Sequence, residues 1–567
     1  MDQKLQIDGE APISDSKKGG WITFIFIAGA VAGTTVAGGG WNSNLIVYLI
    51  KEFHVENISA AQIGNMVNGC IYVFPVIGAI IADSVGCFPV ISIASGIALL
   101  GTILLFITAI PRVWSSSLCI NESSAACSAP PKSQFAVLYA GLALASIGMG
   151  CSRFTLATLG ADQHADTKSQ DVFFNWYTFT FYSAFIIGTT IPVYMEDNIS
   201  WLWGFGLCIA ANAFALVILM LGKHFYLQVK HQGSPYSDIA RVVVAAFRKR
   251  NIPLSNKSEE YYNGFKQGGA SESYAMTPTN SISFLNRAAL ITDGDIGMDG
   301  SVVKLWRLCT VQQVEDFKSI VRILPVWSAS ILLGTTITVQ ASMTVLQALS
   351  MDRRIGPHFK IPAGSILVTS FISTCAALSV IDRFLLPAWQ KLTGRYPTPF
   401  QRIGVGHILN VLSMVVSAIV EGWRLKLAKQ HHLQAESTVP MQAIWLFPQL
   451  VMVGAGEACV FPALVGLYYQ EFPASMKNSA TAMMSVIGAL NYYLATILTD
   501  MIRRVTGWLP GNINSGRIDN LYWVLAVIGF GNFCYFLACA HYYKSGGELE
   551  NGSGDTTSLP ARKVNDE

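Results

Sequence analysis

Two ionisable residues stand inside stretches that are otherwise apolar. Arg153 follows Gly148-Met-Gly-Cys-Ser, and Glu457 lies in Val453-Gly-Ala-Gly-Glu-Ala. A charge at bilayer depth costs at least about 3 kcal/mol, so such groups face a protein interior or a watery passage and find partners there. A guanidinium stays charged, which leaves the carboxyl as the member of the pair that can switch. With a proton on Glu457, Arg153 loses a counter-ion and becomes an attracting site for an anion. Proton and anion binding are then linked. The pair has two readings: a fixed staple that only helps assembly, or a gate that answers to substrate. Glycines beside both residues permit close backbone approach.

Other chemistries have no carrier in the chain. There is no GxxxxGK[ST] phosphate loop, no HExxH and no GxSxG. Eleven cysteines are scattered without CxxC pairs or His-containing metal spacing, so no metal and no cofactor is expected. Of nine histidines, His407 lies inside an apolar stretch and His541 at the edge of one. That poverty of acid/base pairs argues against a membrane enzyme. A net charge of +3 leaves no nucleic-acid footprint.

The elements that must hold Arg153 and Glu457 follow from composition. The 567 residues are 52% hydrophobic and 13% charged, with a mean hydropathy of +0.42. Soluble chains carry about a quarter charged residues, so lipid is the solvent for most of this one. Windows of about 20 apolar residues, enough to cross the hydrocarbon, lie near 21–50, 62–82, 88–110, 134–159, 172–195 and 200–222. A second set lies near 317–349, 361–386, 402–424, 441–470, 478–502 and 519–543. The expectation is an all-α polytopic membrane protein with twelve transmembrane helices in two six-helix bundles, 21–222 and 317–543. Polar tails, 1–20 and 544–567, and the connector 223–316 then share one side. The connector carries 11 Lys/Arg against 9 Asp/Glu, which suggests the cytoplasm. Its polar runs, such as Gly268-Gly-Ala-Ser-Glu-Ser, predict much mobile chain. Ser237 to Arg250 is the exception, an amphipathic helix expected on the inner leaflet. Lys318 and Arg322 are expected to snorkel to headgroups. Arg353, Arg424 and Arg503 are read as residues of short outer loops. Cys119 and Cys127 fall in the outer loop between spans three and four, where an oxidising compartment permits a disulfide. At 1.5 Å per residue Arg153 lies roughly 28 Å below Gln134, and Glu457 roughly 24 Å below Met441, comparable depths on opposite bundles.

Ordered polar motifs then carry a resemblance. They include Asn44-Leu-Ile-Val-Tyr-Leu, Gly78-Ala-Ile-Ile-Ala-Asp83, Gly160-Ala-Asp-Gln, Phe173-Phe-Asn-Trp-Tyr, Phe284-Leu-Asn-Arg-Ala-Ala, Asp352-Arg353 and Asp519-Asn-Leu-Tyr-Trp. From about Gly19 to Lys544 the chain resembles the plant nitrate and peptide transporter family, a branch of the proton-coupled oligopeptide transporters. The resemblance implies the major facilitator fold and alternating access between the two bundles. Family members that couple to protons carry E-x-x-E-R in span one; the corresponding stretch here is Val31-Ala-Gly-Thr34-Thr35, without acid or base. The family's span-four lysine corresponds to Arg153, and its span-ten glutamate is retained as Glu457. A histidine that contributes to nitrate recognition in one member aligns with Ile337. An uncharged span one beginning Gly20-Trp-Ile-Thr-Phe is similar to the nitrate-excretion branch.

The resemblance therefore implies a secondary transporter of nitrate or another small anion, exported or moved downhill with weak or absent proton linkage. Cavity positions are Thr34, Thr35, Asn175, Ile337, Asn491 and Tyr492. With Trp41, Tyr72 and Phe461, the last two also suit an aromatic glycoside, so export of a specialised metabolite, a glucoside or alkaloid, stays open. So does a solute sensor that binds without moving its ligand. Phe173 to Tyr177 are expected at an inner gate. The plasma membrane is the expected location, with the vacuolar membrane as alternative. Expected partners are the bilayer, the small-molecule or anion substrate, and protons.

Overall fold

A chain whose backbone must cross hydrocarbon has to satisfy its own N–H and C=O groups, and helices do this within one segment. The computed structural model describes residues 19–553 apart from 111–129, 165–166, 228–234, 256, 265–277, 280, 298–301, 358, 432–437, 472–476 and 512. Twelve helices among them are long and apolar enough to cross a membrane. Spans one to six are Trp21–Lys51, Asn57–Ala82, Cys87–Thr108, Lys132–Ala161, Val172–Asn198 and Trp201–His224. Spans seven to twelve are Val311–Leu349, Gly364–Thr393, Pro399–Gln430, Ala443–Val465, Met484–Val505 and Ile518–Tyr543. Cys119 and Cys127 lie outside the described residues.

Span one is broken. Its first helix ends at Ser43 and a short one resumes at Leu45, with Asn44 between them at φ −103° and ψ 6°. The break frees Asn44 to reach another helix with its side chain. Glycines set other crossings. A Cβ on Gly150 of span four would stand 2.8 Å from Ile71 O of span two, so no larger residue permits this approach. One on Gly456 of span ten would stand 3.2 Å from Gly406 O of span nine. Arg153 and Glu457 each lie a turn or less from one of these glycines.

The connector departs from the sequence expectation. Helix Pro235–Arg248 buries Val242, Ala245 and Ala246 against Leu285, Ala288, Leu290, Val311 and Val314, a small core of the connector's own. Its apolar stripe is covered by protein instead of lying wholly on lipid. Lys249 Nζ meets Asp295 Oδ2 at 2.8 Å with both side chains fully buried. Span seven explains where this unit sits. Its 39 residues make a helix of about 58 Å, nearly twice the hydrocarbon thickness. The connector packs against its first turns. Lys318 and Arg322 do not snorkel: Lys318 Nζ donates to Glu315 and to Thr279 O, both at 2.7 Å, and Arg322 reaches Ser281 Oγ at 3.2 Å. We call this face the connector side and the opposite one the far side.

Candidate functional site

Between the bundles lies a cavity of about 470 Å³. Spans one, two, four and five wall one half; spans seven to eleven wall the other. Among its described lining residues the only Lys, Arg, Asp or Glu are Arg153 and Glu457. The Arg153 guanidinium lies over two rings, 4.5 Å from the centroid of Phe181 and 5.4 Å from that of Tyr72. Such contacts hold a cation by the negative face of the ring. Tyr177 donates its hydroxyl to the Arg153 carbonyl at 2.7 Å. Glu457 Oε2 has the Thr374 hydroxyl at a long 3.5 Å. Tyr182 and Tyr492 stand within electrostatic reach of both charges, and Tyr492 stacks on Tyr72 at 5.7 Å across the two bundles. Among the described contacts no ion pair joins Arg153 to Glu457. The two share a cavity whose intervening groups are aromatic and hydroxyl.

Ile337, Asn491 and Tyr492 line the same cavity. With its amide oriented to satisfy its neighbours, Asn491 donates to Ile331 O and Ile487 O at 2.9 Å. Thr34 and Thr35 face Arg153 from behind: with Ser152 and Tyr177 they surround a separate void of about 10 Å³, the size of one water. Asn175 lies on helix Thr167–Asn198. Tyr72 and Phe461 line the cavity, whereas Trp41 does not. Trp41 is 3% exposed and packs in the core of the first bundle with Leu45, Leu138 and Leu142. Phe173 is likewise core, edge-on to Phe24 at 6.1 Å, not at a seam between the bundles.

The ties between bundles were missed in the sequence. On the far side Asp197 of span five bonds Lys51 of its own bundle and Arg353 of the other, the latter at 2.9 Å. Arg503 Nη2 meets Glu56 Oε2 at 2.5 Å and Arg503 Nη1 meets Ser59 at 3.2 Å. Ser365 donates to Thr189 O at 2.7 Å, Ser342 to Asn65 Oδ1 at 2.8 Å, and Tyr194 stacks on Phe359. Among the described residues, the hydrogen bonds between bundles gather on the far side and at mid-depth. These ties hold the two bundles together on the far side. Arg424 belongs to no loop: it is fully buried in span nine. Glu421 takes two of its bonds at 2.7 and 2.8 Å, and Ser350 and Asn514 take others at 3.0 and 2.6 Å.

Two helix bundles around a cavity, tied on one side, is the arrangement of a transporter. The chain matches the POT family over residues 88–515. It belongs to that family. Over 94% of its length it is 48% identical to Protein NRT1/ PTR FAMILY 2.6 of Arabidopsis thaliana, and over 95% it is 49% identical to Protein NRT1/ PTR FAMILY 2.7 of the same plant, covering 94% and 96% of those chains. Its fold is similar to the POT family transporter PepTSo, with a TM-score of 0.67 at 15% identity over 92% of this chain and 98% of that one. An auto-inhibited POT family peptide transporter superposes with a TM-score of 0.65 at 15% identity, over 96% of this chain and 99% of that one. This POT-family chain is therefore a multi-pass membrane protein with the major facilitator fold, and a secondary transporter of the NRT1/PTR kind.

Proposed function

We propose that this POT-family transporter carries a small monovalent anion, nitrate first among the candidates, through the cavity between its bundles. One observation supports this most: the cavity's described wall has a single cation, Arg153, placed among rings, and a single carboxyl, Glu457. An anion against the guanidinium gains a charge-assisted hydrogen bond in surroundings poor in water. A dipeptide needs opposed charges for its two termini, and Thr34 and Thr35 supply none from span one. Protonation of Glu457 removes the one negative charge on the cavity's described wall, which gives a weak proton linkage. Arg353 and Asp197, with Arg503 and Glu56, must part for the far side to open. Alternating access then exchanges these ties for contacts on the connector side, which we place in the cytoplasm, with the plasma membrane as the expected location.

A second reading rests on size. About 470 Å³ falls in the range of drug-sized ligand pockets, and Tyr72, Phe181, Phe371, Phe461 and Tyr492 offer it ring faces. That favours a flat metabolite, such as a glucoside or an alkaloid. Competition of nitrate, chloride, dipeptides and metabolite glucosides for uptake in oocytes, at two pH values, separates the readings. Inhibition by nitrate that is lost in Arg153→Ala supports the anion; inhibition by glucosides alone rejects it.

A further inference from the structure

A further buried carboxyl lies in span five, outside the cavity. Glu196, near the far end of span five, is 3% exposed. Its Oε2 accepts from Asn44 Nδ2 at 3.0 Å, across to the break in span one. Its other oxygen, Oε1, is buried and has no hydrogen-bond partner, and neither has Asn44 Oδ1. Among the described residues, the groups facing Glu196 offer no positive charge. Asp197 is its neighbour in sequence, Tyr48 stands nearby on span one, and Cys208 faces it from span six. Glu52 of span one adds another acid near Tyr48. The two cations of this corner, Lys51 and Arg353, are bonded to Asp197 instead. A bare carboxylate in this place is buried beside another acid, with one amide for company. Such burial is costly, and a proton removes the cost.

Asn44 links this group to the seam. A Cβ on Gly364, at the start of span eight, would stand 2.9 Å from Asn44 Oδ1 and 3.1 Å from its Cα. The second bundle thus touches the first at the residue that holds Glu196. One residue further along span five, Asp197 makes the ion pair to Arg353. The carboxyl, its amide partner and the seam form one short chain of contacts.

We infer that Glu196 is a proton-binding site that holds the far side shut. A proton arriving from water forms an O–H bond on Oε1. The neutral acid keeps the amide bond to Asn44 and supplies a donor where two oxygens lack one. When the proton leaves, the carboxylate draws water into the corner and loosens the Asn44–Gly364 contact, opening the far side. The site is separate from Arg153 and Glu457 and does not depend on which cargo the cavity takes.

Hydrogen exchange on the full chain in lipid nanodiscs tests this without knowledge of the cargo. Peptides covering Asn44 to Phe53 and Pro192 to Trp201 are followed in mildly acid and mildly alkaline buffer, with rates corrected for intrinsic exchange. In the wild type, exchange should rise about tenfold on going alkaline. In Glu196→Gln, the neutral mimic, it should stay at the acid value throughout. Asp197→Asn should raise exchange in both buffers and keep the rise. A flat wild-type response, or a wild-type rise retained in Glu196→Gln, overturns the proposal. Should that variant fail to assemble, infrared difference spectra of Glu457→Gln decide. A buried protonated carboxyl whose band disappears in step with the exchange rise supports the site; absence of the band rejects it.

Discussion

Two arginines, one in each bundle, are held by different means. Arg424 sits in span nine with zero side-chain exposure, in a two-bonded pair with Glu421. Gln347 bonds the same carboxylate at 2.7 Å, and Tyr522 closes the network onto Gln347 at 2.9 Å. Spans seven, nine and twelve are joined there through Gln347 and the Glu421 carboxylate that holds the guanidinium. Arg153 lies instead over the faces of Phe181 and Tyr72 at a cavity wall. A carboxylate takes up the charge and the hydrogen bonds of a guanidinium together, whereas a ring face offsets charge and accepts no strong hydrogen bond. The first environment makes an arginine part of the architecture. The second leaves it on the wall of the cavity, within reach of a ligand.

Substitutions put that contrast at risk, beginning where the effect is largest. Glu421→Ala strands a buried guanidinium, a change that typically costs about 3–5 kcal/mol. The protein should fail to reach the membrane in normal amount, read by detergent-extracted fluorescence chromatography. Normal yield and an unchanged melting temperature would place Arg424 on a par with Arg153. Next, Arg153→Ala should lower anion flux about tenfold or more, the loss of a charge-assisted bond of about 1.5–3 kcal/mol. Abundance should stay near normal. Equal loss of flux and abundance would make Arg153 a staple after all. Glu457→Gln should flatten the pH dependence of that flux while leaving flux itself within a few-fold of wild type in acid; an unaltered pH profile removes Glu457 from the linkage.

A smaller effect is expected in the connector, outside the membrane. Burial raises the pKa of the Asp295 carboxyl, but hydrogen bonds from Lys249 and Thr292 outweigh it and leave the group below its usual value. A carboxyl held low stabilises the folded connector at pH above the ordinary aspartate value. That contribution is lost as pH falls through the lowered one. Protease resistance of the connector should therefore weaken in acid below about pH 4. In Asp295→Asn it should already be weaker at neutral pH and should change less on acidification. Equal acid sensitivity in both proteins would remove the Lys249–Asp295 pair as the cause.

The same contrast explains what was legible in the chain. Hydropathy is a sum over neighbours in sequence, and crossing hydrocarbon forces a helix, so twelve spans in two sets follow from the amino acids alone. Arg153 and Glu457 announced themselves because each interrupts an apolar run, and charge at that depth demands an interior. Residues near the ends of runs carried no such signal. Arg353 and Arg424 read as charges of short outer loops, and only the approach of other helices shows that they are buried and paired. The connector misled for a related reason: its helix supplies half of a small core, and the other half comes from residues some 40 positions later and from the head of span seven. The sequence by itself settled which solvent each segment prefers. Which charges meet, and which side of the cavity they close, was decided by tertiary packing, because a pairing depends on helices that are neighbours in space and distant along the chain.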